Sequence, residues 1–226
     1  MKGVQLPLGV QLAESATFES YFPGPNLEAV RALRSDAPLL LLYGPPASGK
    51  THLLQALIHR ASETLSCAYL PLRQLATENP LEATGGLESP QLVCIDDADA
   101  ALHFPGWSEA LVRLLDARRA GSLRTVLAAS APPERLSGLR DLLTRFAAAA
   151  VFGLKPLNDG ERADFLRERA RGRGLVLPAD AADYLLARLP RDAGSLNAAL
   201  ERLDSALLTA QRPLTLSFVQ QWLKSA

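Results

Sequence analysis

Apolar residues fall along this chain in two patterns. Short continuous runs occur at Leu39 to Tyr43 (LLLLY), Cys67 to Leu72 (CAYLPL), Gln91 to Ile95 (QLVCI), Thr125 to Ala129 (TVLAA) and Ala149 to Leu154 (AAVFGL). The first is stopped by Gly44-Pro45-Pro46 and the third by Asp96-Asp97. Runs of this length, bounded by turn formers or charge, predict strands buried on both faces. Between them the period changes to three and four residues. Leu53, Leu54, Leu57, Ile58 and Ala61 make one stripe within Thr51 to Leu65, and Leu111, Val112, Leu114 and Leu115 make another within Trp107 to Ala120, which ends at Gly121. That spacing predicts amphipathic helices, the first starting at about Lys50. Residues 73 to 90, interrupted by Asn79-Pro80, Gly85-Gly86 and Pro90, read as a short helix and a loop.

Strands that alternate with helices need crossover connections. The predicted class is therefore α/β, with a mostly parallel five-stranded sheet covered by helices on both faces. After Pro156 the alternation stops. Residues 159–171, 178–189, 194–210 and 215–224 all carry helical spacing, with breaks at Gly172, Gly174, Pro190 and Pro213. The expected organisation is a flexible tail over 1–15, an α/β domain over 16–156 and a small all-helical domain over 157–226.

Composition narrows the class without changing the picture. The 226 residues are 48% hydrophobic and 21% charged, which excludes disordered and collagen-like chains. No apolar run approaches the roughly 20 residues that cross a bilayer, and the N-terminus has no signal-peptide core. Cys67 and Cys94 each lie inside an apolar run, so both are expected as buried thiols in a reducing cytoplasm. The 24 basic and 24 acidic residues cancel, although residues 1–100 hold 6 and 11 while 101–226 hold 18 and 13. Neither half is basic enough to argue for strong autonomous DNA binding.

The candidate chemistry sits where the first strand gives way to the first helix. Gly44, Pro45, Pro46, Ala47, Ser48, Gly49, Lys50 and Thr51 fit G-x-x-x-x-G-K-[ST] in the strand-loop-helix context that this motif needs. Its glycines let backbone N–H groups turn toward phosphate oxygens, Lys50 adds a cation, the helix N-terminus adds its dipole, and the Thr51 hydroxyl can ligate Mg²⁺. His52 follows directly. The third strand delivers Asp96 and Asp97 at its C-terminal end, where open α/β sheets bind ligands. Asp96 would complete the Mg²⁺ shell with Thr51, and Asp97 would polarise the attacking water. The implied cofactors are ADP or ATP with Mg²⁺.

These motifs, together with Ser130 after the fourth strand, Thr144-Arg145-Phe146 before the fifth and the helical C-terminal part, resemble the AAA+ ATPases. Thr17 to Asn26 (TFESYFPGPN), Gly44 to Thr51, Ile95-Asp96-Asp97, Ser130 to Pro133 (SAPP) and Leu214 to Val219 (LTLSFV) are similar to the DnaA-related branch, and most of all to its short Hda family. The initiator DnaA carries a further helix-turn-helix domain beyond its lid, whereas this chain ends four residues after Trp222.

The resemblance implies a regulator that inactivates the replication initiator DnaA by stimulating hydrolysis of its bound ATP. Arg145 would be an arginine finger reaching a neighbouring protein's γ-phosphate, a contact worth about 10³ to 10⁵ in rate in related NTPases. From the residues alone, Arg145 reads as a surface arginine pairing with Asp141 at i,i+4. Gln5-Leu6-Pro7-Leu8 is similar to the family's clamp-binding peptide. Gln5, Leu6 and Leu8 would contact the sliding clamp, the DNA polymerase III beta subunit, as an extended peptide in an apolar groove, reaching DNA only indirectly. No membrane partner is implied, and a homodimer is compatible with the family. Ser130 would be a phosphate-sensing residue, and Tyr21 and Phe22 would border the adenine; an aromatic staple closing the core is the other reading of that pair.

The pattern departs from the family in the lid, where Gly194 stands at the place of an expected sensor arginine, with Arg191 three residues earlier as the candidate substitute. Weak or absent hydrolysis at the chain's own site follows, with ADP as the resident nucleotide. Elsewhere the features are structural. His52, His59 and His103 lack metal-ligand spacing. Trp107 and Trp222 read as core or interface residues, and the run from Arg162 to Arg173 reads as a solvated face. Two other functions are open on the same residues. One is an autonomous AAA+ ATPase of the helicase-loader type that works through Lys50, Asp96 and Asp97. The other is a non-catalytic nucleotide-binding scaffold.

Overall fold

A computed structural model of the protein describes residues 4–6, 11–190 and 193–225. The chain divides into two compact units, one up to Lys155 and one from Pro156. In the first unit the continuous apolar runs form β2 (Leu39–Tyr43), β3 (Cys67–Pro71), β4 (Leu92–Asp96), β5 (Arg124–Ala129) and β6 (Ala150–Gly153). Among the described residues these make one sheet with a sixth strand, β1 (Val4–Gln5), in the order β1-β3-β4-β5-β2-β6 with every pairing parallel.

The sixth strand corrects the expected five. Val4 and Gln5, placed in a flexible tail by sequence, pair with Cys67 and Ala68 at the outer edge of β3. Val4 and Leu6 pack partly buried against the sheet while Gln5 faces solvent, so two apolar side chains give the segment a reason to cover that edge.

Side chains alternate along each strand and build two cores. Leu41, Leu70, Val93, Ile95 and Leu127 face one side, where they meet α4 (Trp107–Ala120) and α5 (Arg140–Ala147) through Trp107, Leu111, Leu114, Leu142 and Phe146. Leu40, Leu42, Tyr69, Cys94 and Val126 face the other, against α1 (Leu27–Leu33) and α2 (Lys50–Ala61). Cys67 and Cys94 are buried free thiols on that second face. A short α3 (Pro80–Thr84), capped by the Asn79 side chain on the Leu81 N–H, completes the unit.

The C-terminal ends of β2, β5 and β4 lie side by side, with Tyr43 in register with Ala129 and Ile95 with Leu127. The segments leaving those three strands therefore share one rim. This is the crevice outside the carboxyl ends of a parallel sheet, where such folds place their ligands.

The second unit is α6 (Asp159–Gly172), α7 (Ala179–Leu186), α8 (Ala193–Ala210) and α9 (Leu216–Ser225). Asn158 starts α6 with a capping box: its side chain accepts from the Glu161 N–H at 2.9 Å and Glu161 accepts from the Asn158 N–H at 2.7 Å. Phe165, Leu166, Ala181, Leu185, Leu196, Leu200, Leu203 and Val219 fill its interior. Gly194 lies exposed in the first turn of α8, and Arg191 falls outside the described residues. No helix is long and apolar enough to cross a membrane among the described residues.

Candidate functional site

The loop after β2 is shaped by two glycines. A Cβ on Gly44 would stand 2.8 Å from both the Leu154 carbonyl oxygen and Ser48 Oγ. Gly49 sits at φ +93°, and a Cβ there would stand 2.6 Å from the ring of Tyr21. A left-handed backbone directly before a helix aims N–H groups inward, and only glycine takes it without strain. Lys50 opens α2, nearly buried, and its ammonium donates to the Gly44 carbonyl at 2.7 Å and the Pro45 carbonyl at 3.0 Å. Two of its three N–H groups hold the loop in shape and one is left for a phosphate oxygen. Burial pulls its pKa below the usual lysine range, opposed by the charges of Asp96, Asp97 and Asp99. Ser48 Oγ is buried with no hydrogen-bond partner, which marks a polar group built to meet something else.

Asp96 closes the other side of the rim. Only 4% exposed, it accepts three hydrogen bonds: from Thr51 Oγ1 at 2.6 Å and Tyr69 OH at 2.9 Å on Oδ2, and from the Asp97 N–H at 3.0 Å on Oδ1. Burial raises its pKa, and the hydrogen bonds from Thr51 and Tyr69 oppose the shift. Asp97 follows at φ +49°, with its carboxylate turned to Arg73 Nε at 3.2 Å. A 3-10 turn, Ala98–Leu102, carries the buried Asp99, whose Oδ2 accepts both the Ser130 N–H, at 3.1 Å, and the Ser130 hydroxyl. Asp99 Oδ1 has no partner.

The described residues fit a nucleotide phosphate with a divalent cation. The orphaned Ser48 hydroxyl, the remaining Lys50 N–H and the inward loop amides suit phosphate oxygens. Thr51 and Asp96, already in contact, form the hydroxyl-carboxylate pair that would hold Mg²⁺.

Tyr69 and Asp99 belong to this network, and sequence reading had passed over both. Tyr69 sits in an apolar strand and reads as core. Asp99 is three residues past Asp96 in Asp-Asp-Ala-Asp, and that third carboxylate is a signal that could have found it.

Other expected residues lie around the loop or away from it. Tyr21 covers Gly49, its hydroxyl accepts from Asn26 Nδ2 at 3.3 Å and lies 3.5 Å from the Ser48 carbonyl, and Phe22 beside it is half-buried. The His52 ring turns to the preceding segment, with Nε2 2.9 Å from the Thr17 carbonyl and 3.2 Å from Ser20 Oγ. Gln5 and Leu6 are at the β1 edge, while Leu8 lies outside the described residues.

Arg145, near the end of α5, bonds to none of the phosphate-loop residues. Its expected partner is corrected: Asp141 contributes its backbone carbonyl, to Nη1 at 2.7 Å. The ion pair is with Asp116 of α4, through Nε at 2.8 Å and Nη2 at 2.6 Å. Asp116 offers both carboxylate oxygens to the Nε and Nη2 edge of the guanidinium, while Asp141 meets it through the backbone alone.

Comparison with known proteins agrees with this geometry. The family described as Hda, lid domain, matches residues 159–223. Domain III of the Thermotoga maritima replication initiation protein DnaA superposes with a TM-score of 0.76 at 21% identity, covering 96% of this chain and 98% of that one. AMPPCP-bound DnaA from Aquifex aeolicus gives 0.72 at 20% identity over 85% of this chain and 66% of that one. The Thermotoga maritima RuvB Holliday junction branch migration motor gives 0.68 at 16% identity over 95% and 73%. The fold is that of the AAA+ P-loop proteins, a mostly parallel α/β sheet followed by a helical lid. Within that fold class, residues 159–223 match the Hda lid domain, and the chain as a whole superposes on domain III of DnaA.

Proposed function

We propose that this protein is a clamp-tethered, nucleotide-bound cytoplasmic regulator that stimulates hydrolysis of ATP on the replication initiator DnaA and so restrains initiation. The observation that carries this reading is the placement of Arg145. Its guanidinium is held at the surface by Asp116, bonded to none of the chain's own phosphate-loop residues, and 26% exposed. An arginine so presented suits a γ-phosphate on another molecule. There water attacks the γ-phosphorus, the bond to the β,γ-bridging oxygen breaks, and ADP and phosphate result. The positive charge of Arg145 would offset the charge that gathers on the γ and bridging oxygens.

In this reading Gly44 to Thr51 bind the chain's own ADP or ATP, and bound Mg²⁺ would neutralise phosphate charge beside Thr51 and Asp96. Tyr21 and Phe22 border the base. The Ser130 hydroxyl proton is committed to Asp99, which leaves Ser130 a poor donor to a γ-phosphate and fits a nucleotide held for structure. Gln5, Leu6 and Leu8 would engage the sliding clamp and bring the protein to DNA indirectly.

Initiator loaded with γ-labelled ATP, mixed with this protein and clamp-loaded DNA, tests the reading. Wild type is expected to speed release of labelled phosphate, and Arg145→Ala or omission of the clamp to abolish the gain. An unchanged rate with wild type overturns it. A second reading, an autonomous ATPase, is favoured by the contiguous Thr51, Asp96 and Asp97; it predicts steady turnover by the protein alone.

A further inference from the structure

The contact between Arg145 and Asp116 is bidentate and takes only one edge of the guanidinium. A guanidinium carries five N–H groups. Asp116 takes the side edge, with Oδ1 on Nε at 2.8 Å and Oδ2 on Nη2 at 2.6 Å, and the Asp141 carbonyl takes one N–H of Nη1 at 2.7 Å. Two N–H groups remain, one on each terminal nitrogen. The side chain is thus gripped along one edge and has a donor left on each of the two nitrogens that form its end.

The grip is mounted on a fixed part of the molecule. Asp116 is 52% exposed, but α4 beneath it is pinned by Arg118 two residues on. Arg118 is 1% exposed and donates to Thr125 Oγ1 (2.8 Å) and to the carbonyls of Leu87 (2.6 Å), Pro90 (3.0 Å) and Arg124 (2.5 Å). Leu142 and Phe146 seat α5 in the same core as Leu111, Leu114 and Leu115 of α4. Both ends of the pair therefore stand on packed helices.

We propose that Asp116 is the positioning residue of the arginine finger, holding the side edge of Arg145 so that its end faces the partner's γ-phosphate oxygens. The inference rests on the trans role of Arg145 given above. A free arginine would have to freeze its long side chain when the partner docks; here that ordering is completed beforehand. The pair also differs from an inhibitory lock, in which the carboxylate would have to leave before the finger could act. Edge-on holding lets Asp116 stay in place throughout.

The test is single-turnover conversion of initiator-bound ATP by full-length wild type, Arg145→Ala, Asp116→Ala and Asp116→Glu, titrated to saturation. Asp116→Ala is expected to lower the maximal rate about ten-fold with the half-saturating concentration unchanged. Asp116→Glu, which keeps the two acceptor oxygens, is expected to recover most of that loss. The Arg145 Nε–H signal in ¹⁵N spectra, exchanging slowly with solvent in wild type, is expected to exchange fast in Asp116→Ala, while the thermal unfolding midpoint stays put. A faster rate in Asp116→Ala makes the pair a lock and overturns positioning. So does an unchanged rate while Arg145→Ala is inactive, or a loss confined to the half-saturating concentration. If Arg145→Ala itself retains full stimulation, the trans role fails, and the positioning proposal falls with it for a separate reason.

Discussion

Arg118 and Arg145 sit on two helices that pack together, and they show the same side chain in opposite surroundings. Arg118 is sealed under the end of α4 with four oxygen acceptors and no carboxylate, and burial draws its pKa down to about 10. Arg145 lies partly exposed at the surface against Asp116, which raises its pKa. The aspartates repeat the contrast. Burial pushes the Asp96 carboxyl up, while the guanidinium beside Asp116 holds that carboxyl down. Interior polar groups here are committed to shaping the rim and the helices that support it. The surface arginine is gripped along one edge and keeps N–H groups at its end to meet another molecule.

The sharpest way to break that comparison is Arg118→Met. Three carbonyls and the Thr125 hydroxyl would lose their donor in a dry site, each at a cost of about 1 to 3 kcal/mol, partly offset because a buried cation is removed. A net loss of about 3 kcal/mol is expected in urea unfolding. Arg145→Ala is expected to leave the same midpoint unmoved. Equal effects from the two would erase the distinction.

A smaller effect of opposite sign is expected from Asp96→Asn. A carboxyl whose folded pKa is raised contributes stability below its unfolded value, near 3.8, and loses it as pH rises through the folded value. Above that folded value and without Mg²⁺, the ionised Asp96 is therefore a net burden. An amide can accept from the Asp97 N–H and donate to the Thr51 and Tyr69 hydroxyls. The variant is expected to be more stable than wild type by about 2 kcal/mol in that range, with the gain vanishing as pH falls below the unfolded carboxyl value. Adding nucleotide with Mg²⁺ should then stabilise wild type much more than the variant. A variant less stable than wild type in that range would show that the three donors outweigh burial.

Legibility from sequence followed the range of the forces involved. β2 to β5 were readable because burial on both faces leaves continuous apolar runs, and the phosphate loop because its glycines and lysine are contiguous; β6 was found from its apolar run, but it is an edge strand with Ala150 and Val151 exposed rather than one buried on both faces. α1 was missed because it follows Pro23-Gly24-Pro25, which reads as a loop, and α5 because RDLLTRFA offers only one turn of apolar spacing between charged residues. β1 is two residues long and exists only by pairing with β3, so no local pattern announces it. Arg118 left a signal that went unread: it falls on the Leu111, Leu114, Leu115 stripe, where an arginine must be buried. Tyr69 and Asp116 act across elements far apart in the chain, and only the folded geometry assigns them.

Tyr69→Phe tests the interior network at its finest grain. The substitution keeps the ring in its strand and removes one hydroxyl, which donates to Asp96 Oδ2. A hydrogen bond to a buried ionised carboxylate contributes about 1.5 to 3 kcal/mol, against about 0.5 to 1.5 for a neutral acceptor. The cost should therefore be near 1.5 kcal/mol above the raised pKa of Asp96 and shrink below it, once the carboxyl is protonated. The same substitution placed in Asp96→Asn should cost less than in wild type, since no charge remains to be held. A double-mutant cycle by urea unfolding reads that coupling directly. If Tyr69→Phe costs the same at both pH values and in both backgrounds, the hydroxyl serves packing alone, and the metal-side carboxylate is positioned by Thr51 and the Asp97 N–H without it.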